Sequence, residues 1–161
     1  GVIAGRKSFY WETVAGSFVS SGRSLSQVSA YAEAGIERYR IEAVLDERTT
    51  NTCRFLHGKT FSVGDALGRF DRIESLDRPE DVKSLQPWVR EAQDEKTGRT
   101  VLYGKKGTRR VPITEVVRSG LGAKDDAGKY QRSVGDQALM DLGLSFPPWH
   151  GLCRSQALGI V

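Results

Sequence analysis

Apolar positions in the first third of the chain recur with a helical period and then switch to a period of two. Trp11, Val14, Ala15 and Phe18 follow the i, i+3, i+4, i+7 rule, which predicts an amphipathic helix over residues 8–20 ending near Gly22. Ser24 and Gln27 have the spacing of a capping box, and Leu25, Val28 and Ala32 continue as an apolar stripe up to Gly35. The pattern therefore predicts two helices folded into an N-terminal helical hairpin across Gly22-Arg23. From Arg38 onward Tyr39, Ile41, Ala43 and Leu45 alternate with Arg38, Arg40 and Glu42, the signature of a half-buried strand.

The strand delivers the chain to a polar turn from Asp46, a helical turn over residues 52–56, a reversal at Gly58 and an extended run over residues 59–63. Leu67, Phe70 and Ile73 predict a short helix over residues 65–74. Pro79 and Pro87 bracket what reads as short helical pieces over residues 77–97, with a helix at 79–85 and with Trp88 and Val89 buried. Residues 99–105 and 109–117 read as a β-hairpin around the Gly104-Lys105-Lys106-Gly107 turn region, and residues 129–134 as a further strand. Ser133 or Asp136 is placed to cap a last helix carrying Leu139 and Leu142, after which Pro147-Pro148 bars helix and residues 157–161 return to a strand pattern. These elements predict an α+β fold in which the helical hairpin packs on a small mixed or antiparallel sheet, with a basic β-hairpin inserted.

At 161 residues, with 39% hydrophobic and 27% charged positions, the chain has the size and balance of one folded domain rather than a disordered segment. No apolar run approaches the ~20 residues that cross a bilayer. The apolar end Leu158-Gly159-Ile160-Val161 is what a single domain, residues 1–161, cut from a longer polypeptide would show. The net charge of +4 favours an anionic partner, DNA included, and is concentrated in Lys105, Lys106, Arg109 and Arg110 of the hairpin. Exposed hairpin tips are also basic for solubility alone.

Chemistry-bearing residues fall in two short blocks about a hundred positions apart. The chain has two cysteines and two histidines, and all four lie there: Cys53 and His57 as Cys-x3-His, His150 and Cys153 as His-x2-Cys. Together they make a Cys2His2 set of the kind that holds zinc in a tetrahedron, with the two blocks clasped by the ion. The same residues are compatible with a Cys53–Cys153 disulfide, a catalytic Cys–His pair, or buried thiols and hydrogen-bonded imidazoles with no special chemistry. Asp46, Glu47, Arg48 and His150 are candidates for a metal-dependent acid–base site, set against a plain turn cap and surface ion pair. Arg154, beside Cys153, is a candidate anion contact.

The ordered motifs resemble the phage minor head proteins of the head morphogenesis family typified by the F protein of phage Mu. They are Glu12-Thr13, Tyr39-Arg40-Ile41, Asp46-Glu47-Arg48-Thr49 through Cys53 to Gly58-Lys59-Thr60-Phe61, and Pro147-Pro148-Trp149-His150-Gly151-Leu152-Cys153-Arg154. The resemblance frames residues 12–155, and residues 62–146 between the blocks carry no motif of it. Many relatives have a further cysteine three positions before the one matching Cys53, where this chain has Thr50, and His57 stands at a position often acidic, where it offers a replacement ligand. The resemblance implies a component of phage head assembly, in few copies near the portal, in contact with portal or capsid proteins and associated with DNA packaging or delivery. It implies residence in the virion or the bacterial cytoplasm. Related domains in bacterial toxins imply the alternative, a secreted prophage-derived effector such as a metal-dependent nuclease.

Overall fold

The computed structural model describes residues 8–77, 88–150 and 153–161, with side chains described from Ser21 onward. It is an α+β structure of helices and two antiparallel sheets. The expected helical hairpin is corrected: one helix, α1, runs unbroken over Ser8–Glu33. A helical glycine costs only about 1 kcal/mol relative to alanine, too little to break a helix held by tertiary contacts. Gly22 does not adopt the left-handed conformation that ends helices. Ser24, expected as a cap, donates its hydroxyl to the carbonyl of Pro147 at 2.8 Å, and Tyr31 donates to the carbonyl of Ala157 at 2.8 Å. The stop at Gly35 is as expected, with φ of 74° and paired bonds from Gly35 N to Ala32 O and from Ile36 N to Tyr31 O.

The alternating segment forms β1 (Arg38–Glu42), burying Tyr39 and Ile41 while Arg38, Arg40 and Glu42 face solvent. It is the centre of a three-stranded sheet between β2 (Thr60–Ser62) and β7 (Gln156–Gly159), with Tyr39 opposite Phe61 and Ile41 opposite Ala157. A short helix α2 (Asn51–Leu56) and then α3 (Val63–Glu74) lie on either side of β2 in the chain. Ser62 caps α3 by accepting from Asp65 N, and α3 buries Val63, Ala66 and Phe70.

The second sheet has the order β3-β4-β5-β6, built from β3 (Arg90–Gln93), β4 (Thr100–Lys106), β5 (Arg109–Arg118) and β6 (Lys129–Gln131). The helical pieces expected over residues 77–97 are corrected at Arg90–Gln93, where pairing to Thr100–Tyr103 recruits the segment as an edge strand. Val89 is buried as expected, but Trp88 is 37% exposed. The helix expected at 79–85 lies outside the described residues. The last helix, α4 (Asp136–Asp141), takes Gly135 as N-cap with no side-chain bond. Ser133 is spent on Thr114, hydroxyl to hydroxyl at 2.7 Å, and Asp136 lies in the first turn.

One hydrophobic cluster runs through both sheets, taking in Ile41, Phe61, Leu102, Ile113 and Trp149. Phe146 stacks on Phe70 at 4.2 Å between ring centroids, and the Trp149 indole donates to Leu144 O at 2.9 Å. Tyr39 donates its hydroxyl to Ser145 O. Residues 144–150 therefore thread the core and end with His150 fixed at its edge.

Candidate metal centre

Helix α2 carries the first block to the site. Thr50 is its N-cap, accepting from Cys53 N at 3.3 Å, and this fixes Cys53 in the first turn. Buried Arg54 holds the preceding loop, donating to Thr49 O at 3.0 Å and to Asp46 O at 2.5 Å. The same guanidinium donates to Ala123 O at 2.9 Å and to Asp126 O, so the loop after β5 is tied to the loop after β1. Gly120 permits that approach, because a Cβ there would stand 2.5 Å from Asp126 O. Arg54 was not singled out in the sequence; nothing in its local pattern marks it as buried.

The second block meets the first at three ligand-type atoms. The Cys53 sulfur is 3.0 Å from His150 Nε2 and 3.8 Å from the Cys153 sulfur, and the ligand atoms of all three residues lie within 4.8 Å of one another. Both cysteines are buried and reduced, and His150 is half-buried. Thr50 Oγ1 stands beside them, 3.2 Å from His150 Nε2. A cavity of about 20 Å3, room for a single water, adjoins the group. Ser155 lines it, with its Oγ buried beside Cys53.

The hydrogen bond from Cys53, seconded by His150, pulls the Cys153 thiol well below its ordinary value; the bond to Cys153 and burial push Cys53 up. Two sulfurs and an imidazole converging in a mostly buried pocket could hold a metal ion, which would draw both thiols into the thiolate form.

His57 lies outside this group. It is the C-cap of α2, with φ −56° and ψ 130°. Nδ1 instead accepts from Ala43 N at 3.1 Å, which pins the end of β1.

Asp46 is bound fork to fork by Arg154, with Nη1 to Oδ2 at 2.8 Å and Nη2 to Oδ1 at 2.7 Å. Arg48 N also donates to Oδ1, and these donors, Arg154 first, hold the carboxyl well below the usual carboxylate range. Glu47 points to the surface and pairs with Lys124 at 3.4 Å. Arg48 lines the cavity beside His150. The basic hairpin residues Lys105, Lys106, Arg109 and Arg110 are exposed on β4 and β5.

Compared with family models, with curated proteins and with solved structures, the chain matches none. No helix among the described residues is long and apolar enough to cross a membrane.

Proposed function

We propose that the chain is a phage minor head morphogenesis-like domain with a structural role in head assembly, its two motif blocks clasped by zinc at Cys53, His150 and Cys153. The observation that carries this reading is the meeting of the blocks: residues a hundred positions apart converge as the Cys53–His150–Cys153 group, with Asp46–Arg154 beside it. The sulfur separation of 3.8 Å supports zinc, since a tetrahedron with Zn–S of about 2.3 Å has an edge of about 3.8 Å. Bound there, the ion would be held by Cys53, His150 and Cys153 and would cross-link the two blocks.

The partners in this reading are portal or capsid proteins, and the place is the virion or the cytoplasm in which it assembles. The test is co-expression with the portal and capsid proteins of its own genome, followed by purification of assembled particles. A few copies per particle in the wild type, reduced in Cys53→Ser, is the expected result. Particles that assemble without the protein while it remains folded and metal-loaded would overturn the head-assembly role.

The alternative, a secreted effector acting as a metal-dependent nuclease, would draw on Asp46, Glu47, Arg48 and His150. Both Asp46 oxygens are engaged by Arg154, and Glu47 is turned to Lys124. A carboxylate-based metal site would have to release Asp46 from its fork with Arg154, which favours the clasp.

A further inference from the structure

The tip of the β4–β5 hairpin combines an unusual charge arrangement with a projecting geometry. β3 pairs with β4 only through Thr100–Tyr103, and β6 pairs with β5 only from Glu115 onward. Beyond the buried Gly104, residues 105–110 therefore continue as an exposed two-stranded ribbon past the four-stranded sheet. Its last two cross-strand pairs are Lys105 opposite Arg110 and Lys106 opposite Arg109. Directly opposed side chains lie about 5 Å apart, so both pairs set like charges against each other at a cost in stability.

Nothing among the described residues neutralises them. The ion pairs of the second sheet gather elsewhere, with Glu115 between Arg99 and Arg132 and Asp126 bound to Arg118. Arg90 stands opposite Tyr103, and Lys105 and Arg110 follow two positions further along β4 and two positions before Pro112 on β5, so all three share one face. The Arg110 guanidinium lies over the Tyr103 ring at 4.7 Å, a cation–π contact that steadies it. Lys106 and Arg109 occupy the opposite face. The ribbon thus presents cations on both sides of a narrow blade.

We infer that this ribbon is a binding element for the phosphate backbone of duplex DNA. A two-stranded ribbon has the width to enter a major groove, where its two faces would meet the phosphates of the opposite walls. The tip carries two lysines and two arginines, cations that contact phosphate oxygens whatever the sequence. The inference stands apart from the metal centre and from the head-assembly role.

The test is fluorescence anisotropy with the full chain and a labelled 20-base-pair duplex of mixed sequence over a series of salt concentrations. The probe variant is Lys105→Ala/Lys106→Ala/Arg109→Ala/Arg110→Ala. The charge control, Arg23→Ala/Arg40→Ala/Lys96→Ala/Lys129→Ala, removes four cations elsewhere. Each phosphate contact contributes about 0.9 to the log–log salt slope, so the hairpin variant should lose about 3 to 4 in slope and at least about tenfold in affinity at low salt. The control should keep the wild-type slope, and both variants should keep the wild-type circular dichroism spectrum. Equal losses in hairpin variant and control would reduce the effect to net charge and overturn the inference. So would absence of duplex binding by the wild type, or tighter binding of poly-glutamate than of DNA. Repeating the titration with His150→Ala separates the ribbon from the metal, since DNA binding should persist.

Discussion

Asp46 and Arg154 close a two-point ionic fork across 108 positions of sequence, at 2.7 and 2.8 Å. Arg154→Lys retains the charge but not the planar fork, so it should lower the melting temperature, and Arg154→Ala should lower it further. The Asp46 carboxyl is depressed in the folded state, so its contribution is full above the unfolded value of about 3.9 and is lost as pH falls towards the folded one. Thermal melts from pH 7 to pH 2 should show the gap between wild type and Arg154→Ala narrowing only below about pH 4. A gap that closes between pH 7 and 5 would mean that another group carries the effect.

The proposed zinc clasp makes a residue-specific demand. Elemental mass spectrometry of purified protein should find about one zinc per chain, lost in Cys53→Ser and His150→Ala but retained in His57→Ala, whose imidazole serves Ala43 N. Chelation should lower the melting temperature of the wild type and leave Cys53→Ser unmoved. Zinc absent from the wild type, or lost equally in His57→Ala, would sink the three-residue clasp.

Continuity of α1 can be tested at one position. Gly22 sits inside the helix, is exposed, and would carry a Cβ with nothing within 4 Å. Gly22→Ala should therefore stabilise the protein by about 0.5–1 kcal/mol in denaturant unfolding. If the chain turned at this position through a left-handed glycine, the same substitution would destabilise it.

Buried Arg54 gathers the carbonyls of Asp46, Thr49, Ala123 and Asp126. Arg54→Met keeps much of the stem and removes every donor, leaving buried acceptors without partners. A loss of about 3 kcal/mol is expected. Hydrogen exchange should quicken in both loops that Arg54 joins, and quickening confined to residues 46–49 would show that the second loop is held by something else.

Glu47 separates the structural and enzymatic readings. Its pair with Lys124 is exposed on both sides, and such pairs contribute little. Glu47→Ala should leave melting temperature, zinc content and particle incorporation unchanged. Loss of a nuclease activity in this variant, with the fold intact, would favour the effector.

Local periodicity made β1 readable because Tyr39 and Ile41 face a core on one side only, which stamps alternation directly on the sequence. The β4–β5 hairpin was readable for a similar reason, with its turn marked by Gly107 at φ 66°. Gly22-Arg23 misled because a punctuating residue and a capping pattern are local signals, whereas Ser24 is engaged by Pro147 from the far end of the chain. The edge strand at Arg90–Gln93 was hidden by its own composition, since its stability comes from pairing to β4. In the site, rarity exposed Cys53, His150 and Cys153, but spacing alone did not show that the His57 imidazole accepts from Ala43 N.

The pairing of β1 with β7 sets a time order on the molecule. β1 is the middle strand of its sheet, and its partner β7 lies more than a hundred residues later, just beyond Cys153. During vectorial synthesis, β1 and Cys53 leave the ribosome well before the residues that complete either the sheet or the metal centre. Closing so long a loop is an entropic cost deferred to the last stage of folding. The Cys53–His150–Cys153 group is thus assembled late in folding, once the two halves of its sheet have met.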